Sequence, residues 1–215
     1  AAYSVLYSNL KLKGLTQSPD AFSSTLASES GLSDAAKLAR LTRTDRSVFV
    51  VEDTHTHEWV GQVVLVGPLT LEEYTAPFEG APPTIVTDEK ELQVNRGGDA
   101  GAGRHFWHLT SLYVDVDHRK RGLANDLCDA AYAFIQRHKA SDSGKAQTQT
   151  LRIIIKPGNL VVVKMYERMD FHLVEDRRAT LAEAIRCSGE EELPSDYRQK
   201  PQFNTRGGLI MVKTL

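Results

Sequence analysis

His118-Arg119-Lys120-Arg121-Gly122-Leu123-Ala124 lies between an apolar, strand-like run, Leu109 to Val116, and an amphipathic helical pattern, Asn125 to His138. That placement makes the segment a phosphate cradle. Gly122 lets the backbone turn tightly with its N–H groups facing outward, and the first helical turn adds unpaired donors and the positive end of the helix dipole. Arg119, Lys120 and Arg121 are the densest positive run in a chain whose formal net charge is only −2, so side-chain charge gathers where the backbone donors point. The expected ligand is a multiply charged phosphate. A localisation or nucleic-acid patch is the rival reading of the run, and its position at a strand-to-helix turn favours the cradle.

Outward from the cradle, the helical pattern carries an apolar stripe at Ala124, Leu127, Cys128, Ala131, Phe134 and Ile135, with Arg137, His138 and Lys139 suited to its negative C-terminal end. A polar connector, Ser141 to Thr150, leads to a β-branched strand, Leu151 to Ile155, a helix, Leu160 to Met169, a strand, Phe171 to Val174, and a last strand, Leu209 to Lys213. Upstream, Val48 to Val51 and Trp59 to Val66 read as a hairpin joined by the polar Glu52 to Glu58. Ser33 is a candidate N-cap for a weak helix over Ser33 to Thr42, and Phe22 reads as core. The remainder of the opening quarter shows little pattern.

The segment Arg119-x-x-Gly122-x-Ala124 between strand and helix resembles the acetyl-CoA pyrophosphate loop of the GNAT superfamily of N-acetyltransferases. A second block agrees: Asn159, Val162, Tyr166 and Phe171 resemble the family's N-x-x-A-x-x-x-Y-x-x-x-G-F spacing, with Val162 where a small residue is usual and Asp170 where Gly is usual. The resemblance covers roughly Val48 to Phe171, and the S-P-D-A-F stretch at Ser18 to Phe22 adds a loose match to the family's acceptor wall. It implies a single α/β domain of residues 1 to 215 with a mixed, mostly antiparallel central sheet, splayed parallel strands and flanking helices. Two polar stretches read as insertions, about 71 to 104 near the acceptor site and 181 to 206 as a candidate for acceptor specificity or a subunit contact. Residues 71 to 100 hold seven Asp or Glu against Lys90 and Arg96.

At 215 residues the chain buries a core without staples, and 41% hydrophobic with 25% charged content is ordinary for a globular protein. A pI near 6.4 argues against a general nucleic-acid surface. Two cysteines, Cys128 in the helical stripe and Cys187 in a polar tail region, point away from a disulfide framework and toward a reducing, cytoplasmic setting. No run of about 18 apolar residues and no signal-peptide pattern is visible, so no membrane partner is expected. The chain begins at Ala1, without Met. A homodimer is plausible because dimers are common in the family that the motifs resemble.

The resemblance implies direct transfer of an acetyl group from acetyl-CoA to a primary amine, here assigned to a small molecule, with a protein or peptide acceptor as the alternative. A CoA-binding sensor without turnover is the rival from another class. Arg119, Lys120, Arg121, Gly122, Leu123 and Ala124 would hold the diphosphate, backbone groups of Tyr113, Val114 and Val116 the pantetheine amides, and Asn159 the pantetheine arm. The Val114 N–H would meet charge developing on the thioester oxygen. Tyr166 matches the family's proton donor to the departing thiolate, against a core aromatic as the plain reading. His108, fourteen residues before Gly122, matches the position of a catalytic carboxylate in histone-type members, and its imidazole titrates in the range a base needs. Its plain reading is a structural strand histidine. Cys128 is a poor nucleophile because buried thiols are inert. His55 and His57 suit an exposed hairpin better than a metal, and none is expected. Gly98, Gly101 and Gly103 precede a strand and read as linker.

Overall fold

The computed structural model describes residues 2–19, 22, 24–80, 104–141, 148–189 and 192–215. The expected linker glycines Gly98, Gly101 and Gly103, most of the first insertion and the connector residues 142–147 lie outside that set. Six strands, β1 (Arg46–Glu52), β2 (Trp59–Leu69), β3 (Arg104–Val114), β4 (Thr148–Ile155), β5 (His172–Ala179) and β6 (Gly208–Thr214), are hydrogen-bonded in the order β1-β2-β3-β4-β6-β5. β1 with β2, β4 with β6 and β5 with β6 are antiparallel, and β3 with β4 is parallel. This is the mixed sheet that the motifs imply. The parallel ladder runs from Arg104↔Thr148 to His108↔Arg152, although β3 itself continues to Val114, so pairing with β4 stops part-way along the strand.

By contacts the chain forms two compact units, residues 1–66 with 109–135 and residues 67–108 with 136–215. In the first, α1 (Ala2–Gln17), absent from the sequence reading, supplies Tyr7, Leu10 and Leu15 to a buried cluster with Phe22, Trp59 and Tyr113. A buried lysine on α1 is paired here. Lys11 is 1% exposed and its Nζ lies 3.0 Å from Glu29 of α2 (Leu26–Ser30), which also takes Arg40 of α3 (Asp34–Leu41) at 2.8 Å. Ser33 caps α3 as its sequence predicts, accepting the Ala36 N–H at 3.2 Å. The β1–β2 hairpin register runs from Arg46↔Val66 to Glu52↔Trp59. α5 (Leu123–Ser141) buries Leu127, Cys128, Ala131 and Ile135 of the expected stripe and leaves Ala124 and Phe134 half-buried.

In the second unit, both stretches read as polar insertions begin with helices. α4 (Leu71–Thr75) and α7 (Leu181–Ser188) are each opened by a Thr-x-x-Glu capping box, Thr70 with Glu73 and Thr180 with Glu183. Ala182, Ile185 and Cys187 of α7 are buried, and Cys187 joins Phe78, Val174, Ala179, Ile210 and Val212 in a second core cluster. Cys187 is therefore core, and the polar-tail reading is corrected: capping polar residues masked a helix with one apolar face. α6 (Leu160–Glu167) buries Val163 and Tyr166, leaving Val162 only half-buried. A four-residue helix, α8 (Pro201–Asn204), precedes β6.

Candidate functional site

β3 ends at Val114 and Asp115 turns the chain. Asp115 is 1% exposed, its N–H donates to Val60 O at 2.9 Å, and its carboxylate accepts from the Lys13 ammonium and from the Asp117 N–H at 3.2 Å. Burial pushes this carboxyl upward, but the Lys13 bond and the Asp117 N–H outweigh it and leave its pKa below the ordinary value. Val116, expected as the last residue of the strand, instead opens a 3₁₀ turn over Val116–His118, because Asp115 caps that turn. Neither Asp115 nor Lys13 stood out in the sequence. The available signal was an Asp directly after an apolar run and two residues before an N–H that it can cap.

The cradle follows. Lys120 and Gly122 have φ values of 63° and 83°, two left-handed residues separated by one, a geometry that turns successive N–H groups toward one side. The helix then starts from Gly122, whose carbonyl accepts from Asn125 N at 2.8 Å and Asp126 N at 3.1 Å, so the amides of Leu123 and Ala124 fall in the turn that α5 leaves without internal acceptors. A Cβ on Gly122 would meet nothing within 4 Å, so space does not demand glycine there; the left-handed φ does. Lys120 and Arg121 are exposed. Arg119 is differently engaged: its Nε donates to Val114 O at 2.9 Å, an η nitrogen donates to Ser18 Oγ at 2.9 Å, and its guanidinium lies 5.7 Å from the Tyr113 ring centre. Its side chain pins the turn to the strand it leaves.

Tyr113 is buried, with its hydroxyl 3.0 Å from Gln17 Oε1 and its ring tilted against Phe22 at 5.3 Å. α1 closes on both rings at Gly14, where a Cβ would come within 2.8 Å of Phe22 and 3.1 Å of Tyr113. Phe22 is thus core, as its sequence context indicates. Further along β3, Ser111 has φ 55°, an irregularity within the strand whose backbone groups were assigned to pantetheine.

The remaining candidates lie in the second unit. Asn159 caps α6, its Oδ1 accepting from Val162 N at 3.4 Å. Tyr166 is 5% exposed with its ring edge-on to Phe171 at 5.1 Å. Asp170 adopts φ 62°, the left-handed conformation that the expected Gly would have taken. The turn into Phe171 therefore survives the substitution, with Phe171 N donating to Tyr166 O at 3.0 Å and Lys213 donating to Met169 O at 2.7 Å. His108 is 2% exposed, and burial together with the neighbouring Arg152 charge pushes its pKa well below the ordinary imidazole value. It is neutral at physiological pH and a weaker base than the near-neutral imidazole that its sequence position suggests.

His55 and His57 sit in the exposed β1–β2 turn, His57 with its Nδ1 2.9 Å from Glu52 Oε1, and among the described residues no group of three metal-type ligands occurs. No described helix is long and apolar enough to cross a membrane. Cys128 and Cys187 are both buried, and neither forms a disulfide.

No protein-family model and no curated protein matches this chain. Solved structures do. NAA60 of Arabidopsis thaliana, determined in complex with a bisubstrate analogue, aligns with a TM-score of 0.50 at 16% identity, over 95% of this chain and 93% of that one. An acetyltransferase of the GNAT family from Staphylococcus aureus Mu50 aligns with a TM-score of 0.55 at 9% identity, over 100% of this chain and 94% of the other. Together with the strand order and the interrupted parallel ladder, these likenesses establish that the chain has the GNAT acetyltransferase fold.

Proposed function

We propose that this protein is an acetyl-CoA-dependent N-acetyltransferase, a single GNAT-type domain with insertions at about 71 to 104 and 181 to 206, acting on a primary amine of a small molecule. The observation that carries the reading is the pair of left-handed residues, Lys120 and Gly122, at the start of α5. Backbone donors, a helix N-terminus and two exposed cations converge there, which fits a diphosphate. Acetyl-CoA would supply the activated acyl group as a thioester.

In this reading Gly122, Leu123 and Ala124 bind through main-chain N–H groups, and Lys120 and Arg121 neutralise phosphate charge. Arg119 holds the loop by its bonds to Val114 and Ser18. Backbone groups of Tyr113, Val114 and Val116 and the side chain of Asn159 orient the pantetheine arm; capping uses Asn159 Oδ1, leaving its amide N–H groups for a ligand. His108, neutral at pH 7, takes the proton from the attacking amine, and Tyr166 returns one to the sulfur as the C–S bond breaks.

The test is release of free thiol from acetyl-CoA with a panel of amines. We expect turnover with small amines; preference for basic peptides would favour a protein acceptor, and no turnover despite CoA binding would favour a sensor. Tyr166→Phe is expected to lower kcat on the order of 10²-fold with unchanged CoA affinity. Full turnover in that variant would remove Tyr166 from the chemistry.

A further inference from the structure

Arg152 is the least expected residue of the interior. It stands on β4, is 1% exposed, and among the described residues has no carboxylate within ion-pair distance. Its η nitrogens donate to Tyr74 O at 2.8 Å and Cys187 Sγ at 3.3 Å, and its guanidinium carbon lies 3.8 Å and 4.7 Å from the ring centres of Tyr74 and Phe78. Nε has no partner. Two aromatic faces and two neutral acceptors lessen the burden of a buried cation, but an arginine stays charged, and no described residue supplies its counter-ion.

A second unpartnered group stands beside it. His108 is the cross-strand neighbour of Arg152 in the last pair of the β3–β4 ladder, so the two side chains leave the sheet on one face. Phe106, two residues earlier on that face, packs on Tyr74 at 4.7 Å. The His108 ring is buried beside Arg152, and its Nδ1 has no partner. One residue pair thus offers a permanent positive charge without an anion and a neutral nitrogen without a donor.

We infer that Arg152 and His108 form the recognition site for an acceptor carrying its own oxyanion close to its amine, with Arg152 taking the carboxylate or phosphate and His108 Nδ1 meeting the amine N–H. An amino-acid-like small molecule satisfies both groups at once, whereas a neutral alkylamine leaves the cation unpaired. Arg152 is a binding and positioning residue here, with no step of bond making assigned to it. The inference rests on the acetyltransferase reading for its amine, but its anion site is testable separately.

Two measurements test it. With wild-type protein and acetyl-CoA, kcat/KM for glycine or 2-aminoethyl phosphate is expected to exceed that for glycinamide or ethanolamine by on the order of 30-fold or more. The better of the two anions identifies the headgroup. Arg152→Met should collapse that ratio to within about 3-fold, chiefly through KM, and Arg152→Lys should keep part of it. Without acetyl-CoA, N-acetylglycine should raise the thermal midpoint of wild-type protein, and N-acetylglycinamide should not. Equal rates for acid and amide, or an unshifted midpoint with N-acetylglycine, overturn the inference, leaving the nitrogens to bind water. If CoA fails to bind while N-acetylglycine still does so through Arg152, the acetyltransferase reading fails and the anion site stands. Neither wild-type measurement depends on a variant folding.

Discussion

His108 shows how one buried side chain ties local electrostatics to the behaviour of the protein. Burial and Arg152 lower its native pKa well below 6.5, so the unfolded chain binds a proton more readily than the native one. The associated stability is complete above about pH 6.5 and is lost as pH falls from there toward the lowered native value. We therefore expect the urea midpoint of wild-type protein to fall on acidification below pH 6.5, and His108→Gln to flatten that slope; equal slopes would mean that His108 is not held neutral. Position alone drew attention to His108 in the sequence. Its cationic neighbour was not legible, because Arg152 sits in a β-branched run and the contact depends on cross-strand register. Asp170 teaches the reverse lesson: a departure from the motif proved conformationally equivalent, because a short polar side chain tolerates the left-handed φ.

Among elements, those with one clean period were legible and those with buried charge were not. The stripe of α5, the β1–β2 hairpin and the Ser33 cap follow directly from their residues. α1 escaped notice because Lys11 sits on its inner side, buried against Glu29. α4 and α7 escaped because their Thr-x-x-Glu boxes were read as loop polarity. Glu183 in the second box has a larger task than capping: it accepts from Thr180 N at 2.8 Å, Glu79 N at 3.0 Å, Arg177 at 2.8 Å and Arg206 at 3.1 Å. Burial pushes its pKa up, and these donors and charges more than reverse it. Glu183→Gln should cost about 3 kcal/mol at pH 7, since it removes a 0% exposed carboxylate and leaves the Arg177 and Arg206 charges without it. Its contribution is complete above its ordinary pKa of 4.5 and is lost as pH falls through the lowered native value, so the deficit of the variant should shrink in acid. A urea midpoint unchanged at pH 7 would show that the arginines find other partners.

Taken across the molecule, the fold was legible because two short motifs lie in the right order around one strand–turn–helix. The resulting fold aligns with solved structures at TM-scores of 0.50 and 0.55 although identity is only 16% and 9%. Less legible were the residues that hold the cradle in shape, Lys13, Asp115 and Ser18, since they lie about a hundred positions from their partners, as |i−j| of 102 for Lys13 with Asp115 illustrates. The central claim is that main-chain N–H groups around Gly122 bind the diphosphate of coenzyme A, and titration calorimetry with CoA tests it most directly. Wild-type protein should bind one equivalent, and Gly122→Val, which forces a β-branched residue to φ 83°, should bind at least about 10-fold more weakly. Absence of binding heat from folded wild-type protein, or equal affinity in the variant, would contradict the account.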